Sequence, residues 1–100
     1  MLQSLAQIIL VEDDLRLSSL VKDFLEKNGI DVFVINDGSN AVSQILNRKS
    51  DIVILDIMLP GMDGLEICRN IRNKYKGSIL ILTAMDDEIQ SPNFYFNRIH

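Results

Sequence analysis

From Gln7 to Thr83, short apolar runs alternate with stretches in which apolar residues return every three or four positions. That alternation predicts an α/β protein, a doubly wound parallel sheet with helices on both faces. Ile8-Ile9-Leu10-Val11 is the first strand. Leu17, Leu20, Val21, Phe24 and Leu25 then recur at helical spacing, with Asp14 placed to cap the start of the helix and Gly29 its end. Asp31 to Ile35 is β-branched and aromatic, Asn36-Asp37-Gly38 is a turn signal, and Ala41, Val42, Ile45 and Leu46 supply a second helical stripe. Asp51 to Asp56 is apolar without alternation, as expected of a central strand covered on both sides. Pro60-Gly61 and Asp63-Gly64 form a loop, and Leu65, Ile67, Cys68 and Ile71 mark a third amphipathic helix. Ser78 to Leu82 is the fourth strand, ending at Thr83-Ala84.

Beyond Asp87 the pattern breaks. Ser91-Pro92 disfavours a continuing helix, and Phe94, Tyr95 and Phe96 are half of the chain's six aromatic residues. No further strand or capped helix is readable there, so strand four is expected to present an exposed edge. The parallel sheet is thus expected to be truncated after the fourth strand.

The polar residues gather where open α/β sheets bind ligands, beyond the carboxyl ends of the strands. The first strand delivers Glu12-Asp13-Asp14 and the third delivers Asp56. If those strands are parallel neighbours, three carboxylates converge, and such crowding costs several kcal/mol unless a cation offsets it. The chain reads as carrying a cation-dependent acidic pocket.

Composition narrows the remaining choices. The chain has 100 residues, 47% apolar and 24% charged, which fits one folded domain and excludes disorder. A net charge of −4 and a pI near 4.7 leave no basic stripe to grip DNA or an anionic membrane. Cys68 is alone, which rules out an intrachain disulfide, and it falls on a helical apolar stripe where a buried, inert thiol is expected. No stretch has membrane-spanning length and no secretory signal opens the chain, so a cytoplasmic location is expected.

Val11-Glu12-Asp13-Asp14, the block Asp51-Ile52-Val53-Ile54-Leu55-Asp56-Ile57-Met58-Leu59-Pro60-Gly61-Met62-Asp63-Gly64, and Ile81-Leu82-Thr83-Ala84 together resemble the receiver domain of bacterial two-component response regulators. The similarity is strongest to the OmpR/PhoB type and covers Gln7 to about Asp87. It implies a flavodoxin-like sheet in which Asp56 accepts a phosphoryl group from the phosphohistidine of a sensor histidine kinase. It further implies Mg²⁺ held by Asp13, Asp56 and the backbone carbonyl of Met58, with Glu12 acting largely through metal-bound water. Thr83 would donate its hydroxyl to a phosphoryl oxygen, Ala84 would keep the path open, and Met58 and Met85 would flank the site. Asp14 matches a position that is often acidic, but its simpler role is capping the first helix. The chemistry is consistent on its own terms: Mg²⁺ takes oxygen ligands, and a carboxylate attacking phosphorus needs the anionic repulsion neutralised. On this reading, residues 1–87 are an incomplete receiver domain and 88–100 an atypical tail.

The chain departs from the family's pattern after strand four. A receiver normally continues through a fourth helix, a fifth strand ending in lysine and a fifth helix; here no lysine follows Lys76. The DNA-binding domain of such a regulator is also not in this chain, so DNA is a partner only through that absent effector domain. Missing cover on the sheet leads to the expectation of a homo-oligomer formed through the exposed sheet face or edge. The expected role is a phosphoacceptor signalling domain and not an enzyme acting on a separate substrate. An alternative is a pseudo-receiver that serves only as a protein-interaction module. An aspartyl-nucleophile phosphatase is disfavoured because Met58 occupies the place of its second acid or base, and a nucleotide site because no glycine-rich turn follows the first strand.

Overall fold

The computed structural model describes residues 5–56, 63–85 and 93–99, and for 83–85 and 93–99 it describes the backbone alone. Strand β1 (Ala6–Val11) leads to helix α1 (Leu15–Lys27), β2 (Ile30–Ile35), a 3₁₀ turn (Gly38–Asn40) and α2 (Ala41–Asn47). There follow β3 (Ile52–Asp56), α3 (Gly64–Ile71), β4 (Ser78–Met85) and β5 (Asn93–Ile99). The strands lie in the order β2-β1-β3-β4-β5; the first four are mutually parallel, and β5 runs antiparallel to β4. The parallel sheet ends at β4, as the periodicity predicts.

Register sets the two faces. Ile8 pairs with Ile52 and Val32, Leu10 with Ile54 and Val34, and Ile54 with Leu80, so these side chains share one face. Ile9, Val11, Val53, Leu55, Ile79 and Ile81 line the other. Among the described residues that second face is well covered: Ala41 and Ile45 of α2 and Ile67, Cys68 and Ile71 of α3 pack onto it in one buried cluster. Cys68 is buried as expected, and burial pushes its thiol pKa up despite Arg72 and Arg69 nearby. Leu65, which belongs to the same predicted stripe, stands 39% exposed at the start of α3.

The first face carries only α1 among the described helices. Ser18, Val21 and Leu25 turn toward the strands, where Val21 and Leu25 join a smaller cluster built on Ile8, Leu10 and Val32. Two expectations therefore need correcting. Strand β3 alternates between half-buried and buried residues, because its first face lacks a described helix above it. And of the predicted α1 stripe, Leu17, Leu20 and Phe24 remain exposed, because α1 lies toward the β2 side of the sheet and buries only a narrow line of its surface.

Capping follows the sequence closely. The Asp14 carboxylate accepts from the amides of Arg16 and Leu17, each at 3.0 Å, and satisfies two of the donors that a helix start leaves open. Gly29 adopts φ +83°, a left-handed conformation suited to glycine, just past the end of α1. At α3 the same office falls to Asp63, whose carboxylate accepts from Leu65 at 2.7 Å.

The expectation of a bare edge at β4 is overturned. Residues 93–99 pair with β4, Phe96 opposite Leu82 and Tyr95 opposite Thr83, so β5 is the outermost strand on that side. Two causes suffice. A strand edge is an unpaired row of N–H and C=O groups, and Phe94, Tyr95 and Phe96 are residues with high strand preference. The broken helical pattern hid this, because a strand needs neither capping nor a 3.6-residue period. Ser91-Pro92, Asp87 and His100 lie outside the described residues.

Candidate acidic metal site

Parallel pairing of β1 with β3, Val11 beside Leu55, carries the residues that follow Val11 to the end of β3. Glu12, Asp13 and Asp56 each bring a carboxylate oxygen there, all within 4.8 Å of one another. The three environments differ. Glu12 is only 4% exposed, Asp56 is half-buried and Asp13 faces solvent. The crowding anticipated from the two apolar runs is therefore present.

Its electrostatic consequence falls on Glu12, whose pKa is raised from 4.5 to about 7. Loss of solvation is the largest cause; the charge of Asp56 and hydrogen bonds shared with Asp13 and Asp56 add to it. The Asp14 amide, donating to Glu12 Oε2 at 3.1 Å, pulls the other way. A proton on this carboxyl lessens the repulsion within the cluster, which is why its neighbours Asp13 and Asp56 act to raise its pKa.

Glu12 is held from behind by residues outside the acidic run. Its amide donates to Ile35 O at 2.9 Å, and Asn36 Nδ2 donates to Glu12 O at 2.7 Å. Asn36 Nδ2 also lies 3.3 Å from Ser18 Oγ, and that hydroxyl donates to Leu15 O at 3.2 Å. This chain of bonds ties the end of β1 to the end of β2 and the first turn of α1. Asn36 and Ser18 are thus positioning residues for the cluster. In sequence, Asn36 signals only a turn and Ser18 only a polar interruption in an apolar stripe.

The donor set is three carboxylates without nitrogen or sulfur, which suits a hard divalent cation such as Mg²⁺ and not zinc or copper. Asp14 stands apart from the cluster, its carboxylate engaged in capping α1. Thr83 lies in β4 one residue past Leu82, the register partner of Asp56; its side chain, Met58 and the Pro60-Gly61-Met62 loop lie outside the described residues.

A cavity of about 570 Å³ lies at the opposite edge of the sheet, beside Gln7, Ser50, Asp51 and Tyr75. Arg48, Lys49, Lys74 and Lys76 gather there just beyond the carboxyl ends of α2 and α3. Arg48 stands at the C-cap of α2, where a cation interacts favourably with the helix dipole.

Acidic residues at the carboxyl edge of a β2-β1-β3-β4 parallel sheet define a class, the receivers of response regulators. The family profile described as the response regulator receiver domain matches residues 8–95, and the chain belongs to that family. Among solved structures it is similar to the BeF₃-activated receiver domain of Klebsiella pneumoniae RstA, with 41% identity and a TM-score of 0.75, covering 83% of this chain and 71% of that one. It is also similar to the response regulator TrrA of Thermotoga maritima, solved in complex with Mg²⁺ and BeF, with 34% identity, a TM-score of 0.74, and coverage of 80% and 70%. A Francisella response regulator receiver matches at 28% identity and a TM-score of 0.76, with coverage of 84% and 70%.

Proposed function

We propose that this chain is the phosphoacceptor module of an OmpR/PhoB-type transcriptional response regulator, with Asp56 as the acceptor. The observation that carries this reading is the meeting of Glu12, Asp13 and Asp56 within 4.8 Å at the carboxyl edge of the sheet. An oxygen of Asp56 attacks the phosphorus of a kinase phosphohistidine, the phosphorus–nitrogen bond breaks, and the imidazole leaves with the electron pair. Asp13, Asp56 and the Met58 carbonyl would hold Mg²⁺, and Glu12 would contact it through water. Bound there, the ion supplies positive charge that offsets the anionic phosphoryl oxygens. Thr83 donates its hydroxyl to a phosphoryl oxygen. The partners on this reading are a cytoplasmic sensor kinase and, through an effector domain outside this chain, DNA. Among the described residues no helix is long and apolar enough to cross a membrane.

A second reading is a receiver fold used only for protein interaction. Incubation with a small phosphodonor and Mg²⁺, read by intact mass, separates the two. Labelling that vanishes in Asp56→Asn supports the phosphoacceptor. Labelling unaffected by Asp56→Asn, or none in the unaltered protein while Mg²⁺ affinity is indifferent to the substitution, overturns it.

A further inference from the structure

A second concentration of charge lies a strand's length from the acids, roughly 15–20 Å away along β1. At the amino edge of the sheet Arg48, Lys49, Lys74 and Lys76 line the cavity of about 570 Å³, and every residue around it is among the described ones. These are four of the ten lysines and arginines in a chain whose net charge is −4. Among the described residues the ion pair is that of Lys22 with Glu26, so none of the four is neutralised in this way. Asp51 is the one acid in the lining, and its Oδ2 accepts from the Gln7 amide at 2.8 Å. The side chains around the cavity therefore sum to +3. The carboxyl ends of α2 and α3 subtract about half a charge each, which leaves about +2.

Exposed lysines repel one another only weakly in water, so charge alone would make a solvated rim. The cavity is more than that, because its walls are held. The Arg48 guanidinium lies over the Phe33 ring, 3.5 Å from its centroid, which fixes one cation in place. The Tyr75 hydroxyl donates to Ser50 O at 3.1 Å and lies 3.0 Å from Ser50 Oγ, so the half-buried ring is a rigid wall. Leu5 and Leu46 add apolar surface, and the volume falls in the range of small-ligand sites, about 300–1,000 Å³.

We infer that this cavity binds a nucleoside monophosphate, with the phosphate among Lys49, Lys74 and Lys76, the base against Tyr75 and Leu46, and the sugar hydroxyls donating to Asp51. Charge complementarity selects the class. A phosphate monoester carries about −1.5 to −2 near neutral pH, which matches the residual +2. Asp51 keeps Oδ1 as a further acceptor beside Oδ2, which suits a pair of sugar hydroxyls. An extended nucleic acid is a poorer fit, since beyond the cavity it would meet a protein of net negative charge. None of these residues belongs to the acidic site, so the inference is independent of the phosphoacceptor reading.

Amide-detected NMR spectra of the whole chain in EDTA, titrated with adenosine monophosphate to a few millimolar, test it. The expected result is saturable shifts of the Gln7, Ser50, Asp51, Tyr75 and Gly77 amides, with those of Glu12, Asp13 and Asp56 unmoved. Combining Lys74→Gln with Lys76→Gln raises the dissociation constant at least tenfold, and Lys49→Gln alone raises it several-fold. Far-UV circular dichroism stays unchanged in both variants, because all three side chains are exposed. Arg16→Gln, in the first turn of α1 at the acidic rim, leaves the affinity as it was. Absence of shifts at the named amides overturns the inference, as does binding indifferent to the lysine substitutions or weakened equally by Arg16→Gln. Inorganic phosphate or sulfate binding as tightly as the nucleotide also overturns it, because the cavity would then attract any small anion.

Discussion

Replacing Glu12 with glutamine measures what the acidic cluster costs the fold. In the unfolded chain this carboxyl ionises near 4.5, and in the folded protein near 7. Between those values the folded state retains a proton that the unfolded state has released, so stability falls as pH rises through the window. Once pH exceeds 7 the penalty is complete. At about 1.4 kcal/mol per pH unit, a shift of this size corresponds to roughly 3 kcal/mol. That is a large share of the 5–15 kcal/mol typical of a domain.

Glutamine keeps the shape and can still accept from the Asp14 amide, but it carries no charge to desolvate beside Asp13 and Asp56. Glu12→Gln is therefore expected to leave stability nearly unchanged at pH 4.5 and to raise it by about 2–3 kcal/mol at pH 8. The assay is urea denaturation with EDTA at low micromolar protein, followed by far-UV circular dichroism. The carboxyls whose pKa values are lowered, Glu26 by Lys22 and Asp37 by the Ser39 amide, lose their contribution as pH falls through the acid range, outside the window that reports Glu12. Millimolar Mg²⁺ at pH 8 should restore stability to the unaltered protein, and Asp13→Asn should blunt that rescue. A metal-free stability that is flat or rising from pH 5 to pH 8, or a glutamine variant that tracks the unaltered protein throughout, would refute the reasoning.

Other positions give sharper local tests. Asp14→Ala removes the acceptor for two α1 amides and should cost about 1 kcal/mol, seen as a drop of about 4–8 °C in melting temperature. Ile71→Ala opens a cavity in a fully buried site between α3 and the sheet and should cost about 2–5 kcal/mol in chemical denaturation. A Cβ at Gly77 would collide with the Tyr75 hydroxyl and the Asp51 carbonyl, while that hydroxyl is tied to Ser50. Gly77→Ala should accordingly destabilise by about 1–3 kcal/mol, measured by chemical denaturation.

Position along the chain was enough to determine a good deal. The apolar runs ending in Glu12-Asp13 and in Asp56 specify strands, and a parallel sheet of adjacent β1 and β3 leaves their carboxylates nowhere to go but one rim. The Asp14 cap and the glycine after α1 are equally local, since each satisfies backbone groups within a few residues of itself. Tertiary structure decided what depends on neighbours distant in sequence. Helical spacing showed that Leu17, Leu20 and Phe24 share a side with Val21, but only the placement of α1 toward β2 leaves that side open. The aromatic tail carried strand preference without a visible partner, and the free edge of β4 turned it into β5. Asn36 looked like any turn residue until the fold brought it under Glu12. The rise of the Glu12 pKa belongs to the same category, because desolvation depends on what surrounds a side chain in space and not on what precedes it in the chain.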